Sequence, residues 1–134
     1  ALPMAHVLRD GTEHAIAARD LVPGDLVILA AGAKVPADGR LVESIQLQIE
    51  EASLTGESTP VMKTVDYLGE KNIPLGDRLN MGYMSTIVTY GRATGLVVST
   101  GMDTEIGNIA TLLNDVEDEI LKASIIDKLK GIVK

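Results

Sequence analysis

The sequence predicts one mainly β domain with helices at its C-terminal end. Between residues 5 and 100, short runs rich in Val, Ile and Leu alternate with turns that contain Gly or Pro, a pattern typical of β-strands. After Thr104 the apolar residues change to helical spacing. The chain has 134 residues, enough for one domain of ordinary size. Since Phe and Trp are absent, the core must be built from Val, Ile, Leu, Met and Ala.

The composition excludes several classes of function. The formal net charge is −7 with no block of basic residues, which argues against a nucleic-acid surface and against tight docking on anionic lipid. With no Cys there is no disulfide framework and no zinc–thiolate site. No apolar run approaches the roughly 20 residues of a membrane-spanning helix, and no signal peptide is visible. Because the first residue is Ala1 rather than Met, we expect an excised piece of a longer protein.

A hairpin and a strand are predicted at the N-terminal end. Asp10-Gly11 lies between two short apolar-containing runs, residues 5–9 and 12–17, and this arrangement indicates a β-hairpin. Pro23-Gly24 marks the next turn. Residues 26–29 then form a continuous apolar run, so we expect a buried strand there.

Two more strands are predicted before the middle of the chain. Residues 40–43 resume the strand pattern after an irregular stretch that contains Pro and Gly. Residues 45–50 alternate strictly, with Ile45, Leu47 and Ile49 on one side, so we expect that side to be buried. This strand ends just before a loop of small and polar residues, which a rigid scaffold would hold in place.

The next stretch predicts a surface excursion and a second hairpin. Residues 64–79 are polar and contain two Gly and one Pro, so we expect them to run over the surface. The β-rich runs 84–90 and 92–100 are separated by Gly91. That spacing predicts a hairpin with its turn at Gly91.

Two helices are predicted at the C-terminal end. Thr104 is a suitable N-cap, and Glu105 is placed favourably against the helix dipole. Apolar residues follow at helical spacing until an acidic stretch, 114–119, breaks the pattern, and residues 120–133 predict a second amphipathic helix. The acidic stretch lacks the ligand spacing and central Gly of a calcium loop, so a solvated connector is favoured.

The candidate functional loop is Thr55-Gly56-Glu57-Ser58. Gly56 allows the backbone to bend sharply and to approach another group closely. Thr55 and Ser58 offer hydroxyl groups, and Glu57 offers a carboxylate that can act as acid or base. A phosphate oxygen or an activated water suits such a loop. Taken alone, the four residues favour a solvated surface turn, and only their flanks change that interpretation.

Other polar residues are interpreted as structural. Asp25 and Asp38 lie at turns, where capping of local backbone amides is favoured over a catalytic role, and Arg40 could pair with either. His6 and His14 lack a third ligand for zinc. The sequence contains no P-loop, no dinucleotide fingerprint and no nucleophile elbow, so it offers no nucleotide site.

A set of short motifs, together with the candidate loop, stands in a fixed order along the chain. The motifs are 21–25, 35–40, 54–58 with Pro60, Val61 and Lys63, 80–81 and 100–107. The same ordered set recurs in P-type cation-transporting ATPases, and over residues 4–113 the chain resembles their actuator domain. Each motif is weak alone, but the ordered set is specific. Glu50-Glu51-Ala52 departs from the Asp-Glu-Ser that is usual in the family. Two other segments resemble the bacterial calcium-pump-like branch of the family rather than its heavy-metal branch. These two segments are 75–78 and 86–88.

The resemblance implies a fold, a location and partners. Residues 1–113 would form a distorted, jelly-roll-like β-barrel with a terminal helix, and residues 114–134 a helical linker toward a membrane helix. The chain would be a cytoplasmic domain of an integral membrane protein. Its partners would be the phosphorylation and nucleotide-binding domains of the same pump, and the membrane helices through linkers, with no nucleic acid.

The resemblance also implies a catalytic role for the loop. In such pumps ATP phosphorylates an Asp of another domain, and the actuator domain rotates until its loop meets the aspartyl phosphate. Glu57 would position and deprotonate the attacking water, Thr55 and Gly56 would approach the phosphoryl group, and Ser58 would orient the loop. Mg²⁺ and ATP are implied for the parent pump, whereas this chain alone is expected to hold neither cofactor nor metal and not to hydrolyse ATP.

Two alternatives stay open at this point. One is a stand-alone hydrolase with Glu57 as its base, for which the sequence shows no second catalytic group. The other is a non-catalytic β-barrel module that binds a ligand or a protein. A deep apolar pocket away from Glu57 would favour the binding module.

Overall fold

A computed structural model describes the backbone of residues 3–133, with side chains described for 3–113 and 119–126. An antiparallel sheet of seven strands is followed by a long helix. The strands lie in the order β2-β1-β3-β7-β4-β5, and β6 also pairs with β4. Their bounds are β1 Met4–Arg9, β2 Thr12–Ala17, β3 Leu26–Ala30, β4 Asp38–Glu50, β5 Val61–Met62, β6 Met81–Gly82 and β7 Ile87–Ser99; the helices are α1 Ala52–Thr55 and α2 Glu105–Val133.

The predicted N-terminal hairpin and the following strand are confirmed. Strands β1 and β2 pair from Met4 opposite Ala17 to Arg9 opposite Thr12. The two turn residues, Asp10 and Gly11, have φ values of 54° and 74°. Positive φ at both positions is what a two-residue hairpin turn of type I′ requires, and Asp-Gly supplies it at low cost.

The two strands predicted at 40–43 and 45–50 are one strand, β4, interrupted by a bulge. Its register against β7 shifts between Ile45 and Gln48, and Gln46 has a φ of 49°. The bulge disrupts the alternation of side chains. Leu47 and Ile49 are buried as predicted, but the prediction for Ile45 is wrong, because it lies on the outside with 47% of its surface exposed.

The hairpin predicted at Gly91 is also wrong. β7 runs without a turn from Ile87 to Ser99, and Gly91 lies within it at φ 76°. A Cβ atom at this position would clash with the backbone carbonyl oxygens of both Ile45 and Gln46. Gly91 therefore allows the backbones of β7 and β4 to approach closely at the β4 bulge, and it does not form a turn.

The core lies on one face of the sheet, which curls around it. Four strands, β1, β3, β4 and β7, supply most of its members, and aliphatic side chains fill it as the composition requires. The predicted mainly β, distorted barrel-like fold is confirmed. The buried apolar residues are Ala5, Val7, Leu21, Val27, Leu29, Val35, Ala37, Leu41, Leu47, Ile49, Val88, Ala93 and Val97.

The C-terminal region forms one helix instead of the two predicted. The backbone of α2 continues through 114–119, where a break was expected. The prediction about its N-terminus is confirmed, because the Thr104 hydroxyl accepts a hydrogen bond from the Gly107 amide at 3.1 Å. Thr104 and Gly107 are buried, whereas the described apolar side chains from Ile109 onward are exposed. The division of the chain at 113/114 and the linker role of 114–134 remain predictions.

Within the described residues, none of the helices combines the length and the apolar character that a membrane span requires.

The predicted surface excursion at 64–79 is present and contains one short 3₁₀ turn, Leu75–Asp77. It returns the chain to β6, which pairs with the first residues of β4.

Asp38 fastens the start of α2 to the sheet. Its side chain is buried and accepts hydrogen bonds from the backbone amides of Met84, at 2.9 Å, and Glu105, at 2.8 Å. Asp38 does cap backbone amides, but the predicted local partners are wrong, because both donors are distant in sequence. Burial raises the pKa of this carboxyl, and the hydrogen bonds from the two backbone amides oppose that shift.

Replacing Asp38 with Asn is expected to lower the free energy of unfolding by about 1–3 kcal/mol, because an amide at this buried position leaves one of the two partly buried N–H donors without an acceptor. Urea unfolding of the chain followed by circular dichroism measures this loss. The exposed Asp103 lies in the preceding turn, and Asp103→Asn is the matched control. Equal unfolding midpoints for the two variants would contradict the capping role.

Candidate functional site

The candidate loop connects β4 to β5, which pair with each other. After Glu51, the chain forms the single turn α1, and Gly56 ends it in the left-handed conformation at φ 81° and ψ −6°. The Gly56 amide donates to the Ala52 carbonyl at 2.9 Å. A left-handed residue after a helical turn is the usual place for Gly, so the sharp bend predicted at Gly56 is present.

The Thr55 hydroxyl stabilises the bend. It donates to the carbonyl of Glu51 at 3.1 Å and accepts from the amide of Glu57 at 3.3 Å. In this structure the hydroxyl thus holds the loop in shape. Its predicted approach to a phosphoryl group is untested by these contacts.

Glu57 and Ser58 project from the exposed tip of the loop. Every residue from Thr55 to Pro60 is exposed. Among the residues whose side chains are described, none forms a hydrogen bond or ion pair with the Glu57 carboxylate or the Ser58 hydroxyl. An exposed carboxylate that is not engaged can accept a proton from a water or bind a donor on an incoming group.

A buried ion pair lies beneath the loop. Lys63 Nζ is 2.7 Å from Glu51 Oε2, and the two side chains are 0% and 1% exposed. Burial lowers the pKa of Lys63, and the bond to Glu51 acts in the opposite direction. Lys63 also donates to the Arg78 carbonyl at 3.4 Å and lies 5.8 Å from the centre of the Tyr83 ring.

Sequence reasoning missed this pair, although a pattern could have revealed it. The alternation of Leu47 and Ile49 on the buried side, continued by one more step, places Glu51 on the same side. A carboxylate there requires a buried partner. Nothing in the sequence identifies Lys63 as that partner, because the choice depends on how β5 returns along β4.

The other polar residues singled out from the sequence are structural. Asp25 accepts from the Val22 amide at 3.1 Å and pairs with Arg9 at 3.1 Å, so its predicted local capping is confirmed. The hydrogen bond from the Val22 amide lowers the pKa of Asp25, burial acts in the opposite direction, and Arg9 adds to the lowering. The suggested pairing of Arg40 is wrong, because its guanidinium donates to backbone carbonyls, including that of Val65 at 2.9 Å.

The two histidines are the remaining residues singled out from the sequence. His6 is exposed and lies 3.2 Å from the Glu13 carboxylate. Within the described part of the chain, no three His, Asp or Glu side chains come together as metal ligands would.

Comparison with known proteins identifies the relatives of this architecture. A family model described as the P-type ATPase actuator domain matches residues 1–114. Calcium-transporting ATPase 1 of Bacillus cereus is 48% identical over 124 residues, which cover 90% of this chain and 14% of that protein. A calcium-transporting ATPase of Listeria monocytogenes is 52% identical over 115 residues, covering 86% of this chain and 13% of that protein.

A solved structure shares the fold. A crystal structure of a zinc-transporting PIB-type ATPase matches with a TM-score of 0.70 and 27% identity, covering 87% of this chain and 17% of that chain. The present chain therefore spans less than a fifth of each of these proteins.

Proposed function

The chain belongs to the P-type ATPase actuator domain family, and from this premise we propose that its exposed loop promotes hydrolysis of an aspartyl phosphate in a cation pump. The sequence-based resemblance to this family and to its bacterial calcium-transporting members is confirmed. The alternative of a non-catalytic binding module is not supported. Because the chain is a small part of its relatives, the activity of the whole pump is part of the proposal.

One observation carries the chemical proposal. The Glu57 carboxylate lies one residue after the left-handed Gly56, at the exposed tip of a loop that a curled sheet supports. An aspartyl phosphate is an acyl phosphate, and its hydrolysis requires a water to attack phosphorus in line with the leaving carboxylate. Glu57 would accept the proton of that water, with Gly56 offering a close approach free of a side chain.

The proposed setting requires other parts of the pump. A phosphorylation domain would carry the phosphorylated Asp, and a nucleotide-binding domain would supply ATP with Mg²⁺. The chain would lie on the cytoplasmic side, with residues 114–134 leading toward a membrane helix, so that movement of the domain couples dephosphorylation to ion passage. Ca²⁺ is the proposed ion, since the two bacterial relatives are calcium-transporting ATPases.

Gly56→Ala in the parent pump tests the close approach. Apart from its two chain neighbours, no atom in the described part of the chain lies within 4 Å of a Cβ at Gly56, so the change costs the domain only the left-handed strain of about 1–2 kcal/mol. At the phosphoryl group, however, the added methyl would displace the loop. We expect phosphoenzyme decay to slow by about 10- to 100-fold, as misplacement by about 1 Å does in catalysis.

Gly11→Ala is the matched control for this experiment. Gly11 has a φ of 74°, and a Cβ there also meets nothing within 4 Å, but it lies in the β1–β2 turn at the other end of the sheet. The decay is measured after labelled ATP is chased. A Gly56→Ala pump that decays as fast as the Gly11→Ala pump would contradict a close approach by this loop.

A further inference from the structure

The buried Glu51–Lys63 pair joins the two ends of the segment that carries the candidate loop. Glu51 immediately precedes α1, and Lys63 immediately follows β5. The main chain of each residue is also engaged. The Glu51 carbonyl accepts from the amides of Leu54 and Thr55, both at 2.9 Å, and the Lys63 amide donates to the Leu47 carbonyl at 2.8 Å.

The tip of the loop has few other attachments. The Ser53 hydroxyl donates to the Ser85 carbonyl at 3.0 Å, near the start of the loop. Among the described residues, no hydrogen bond joins Ser58, Thr59 or Pro60 to the sheet. The direction in which the tip projects is therefore set at its base, where the ion pair lies.

The pair is poorly suited to a purely stabilising role. Removing two charges from water costs several kcal/mol per ion, and apolar residues of similar size often stabilise a protein as well or better. The second carboxylate oxygen of Glu51 is buried and has no hydrogen-bond partner among the described atoms, so the pair's desolvation is only partly compensated. What an ion pair offers and an apolar contact does not is a directional link between two defined atoms.

We infer that Glu51 and Lys63 are positioning residues for phosphoenzyme hydrolysis, holding both ends of the loop so that Glu57 meets the phosphoryl group in one orientation. The inference rests on the function proposed above. It assigns to neither residue a contact with the substrate, since both side chains are buried beneath the loop.

The test uses the double variant Glu51→Gln/Lys63→Met in the parent pump. A single change at Lys63 would leave the Glu51 charge buried and uncompensated, which can unfold the domain, whereas the double variant leaves no charge there. We expect normal phosphorylation by ATP and a decay of the phosphoenzyme that is about 10- to 100-fold slower. Deuterium exchange of the same pump should be faster in peptides covering 52–62 and unchanged in those covering 87–99.

The control removes an ion pair elsewhere. Arg9→Met/Asp25→Asn deletes a pair on the outer part of the sheet and should leave the decay unchanged. A purely structural pair would give different results: normal decay in the Glu51→Gln/Lys63→Met pump, or faster exchange in 87–99 as well as in 52–62. Either result would overturn the inference.

A parallel measurement on Glu57→Gln separates this inference from the function on which it rests. Slow decay in Glu57→Gln together with normal decay in the pair variant would overturn the positioning role alone. Normal decay in Glu57→Gln would remove the proposed function and the inference with it.

Discussion

Replacing Glu57 with Gln in the parent pump is expected to slow phosphoenzyme decay by about 10²–10⁴-fold, the usual cost of losing a general base. A carboxylate within hydrogen-bond reach can take the proton of the attacking water, and an amide of the same shape cannot. Gln preserves the size of the side chain at the exposed tip, so docking of the loop should survive. Phosphorylation by ATP should also survive, because it would use other domains.

The assay follows labelled phosphoenzyme after a chase with unlabelled ATP. Glu70→Gln is the matched control, since Glu70 is an exposed carboxylate in the surface excursion. Its phosphoenzyme should decay at the wild-type rate. Wild-type decay in Glu57→Gln as well would remove Glu57 from the chemistry and leave the loop only a structural role.

Replacing Gly91 with Ala is expected to lower the free energy of unfolding by about 2–5 kcal/mol. The left-handed conformation costs about 1–2 kcal/mol for a residue with a Cβ, and overpacking costs typically about 1–3 kcal/mol more. The overpacking follows from the clash of the added Cβ with the carbonyl oxygens of Ile45 and Gln46, which belong to the backbone and cannot move without disturbing the bulge. A loss of this size is a large part of the stability of an ordinary domain.

Chemical denaturation of the chain measures the effect, with Gly32→Ala as the control. Gly32 has a φ of 90°, but a Cβ there meets nothing within 4 Å, so its replacement carries the strain without the clash. Gly91→Ala should therefore unfold at a lower urea concentration than Gly32→Ala. If the two variants unfold together, the close approach at the β4 bulge does not limit stability.

Local patterns were sufficient for the elements whose geometry is local. Asp10-Gly11 specifies a hairpin turn because both residues tolerate positive φ, and Thr104 caps α2 because its hydroxyl reaches the amide of Gly107, three residues ahead. The left-handed bend at Gly56 belongs to the same class. In each case the deciding contacts lie within a few residues, so the local sequence is sufficient to predict the element.

The errors at Gly91 and Ile45 occurred because a distant strand decided the outcome. Gly91 is compatible with a turn or with a strand that another backbone approaches, and only the β4 bulge opposite selects the second. Ile45 fits the alternating pattern of the sequence, but the bulge at Gln46 places its side chain on the outside of the sheet. The break predicted at 114–119 is wrong for a local reason: a change of side-chain pattern does not by itself end the backbone hydrogen bonds of a helix, so α2 continues through it.

By itself, the sequence determined the mainly β class, the family and the position of the candidate loop, because these depend on order along the chain. The tertiary structure alone decided what lies beneath that loop. Glu51 and Lys63 are separated along the chain, and their 2.7 Å contact exists only because β5 returns along β4 and buries both side chains. Likewise, Asp38 reaches the start of α2 only through the folded sheet. Burial and long-range pairing are properties of the packed chain, and no local pattern contains them.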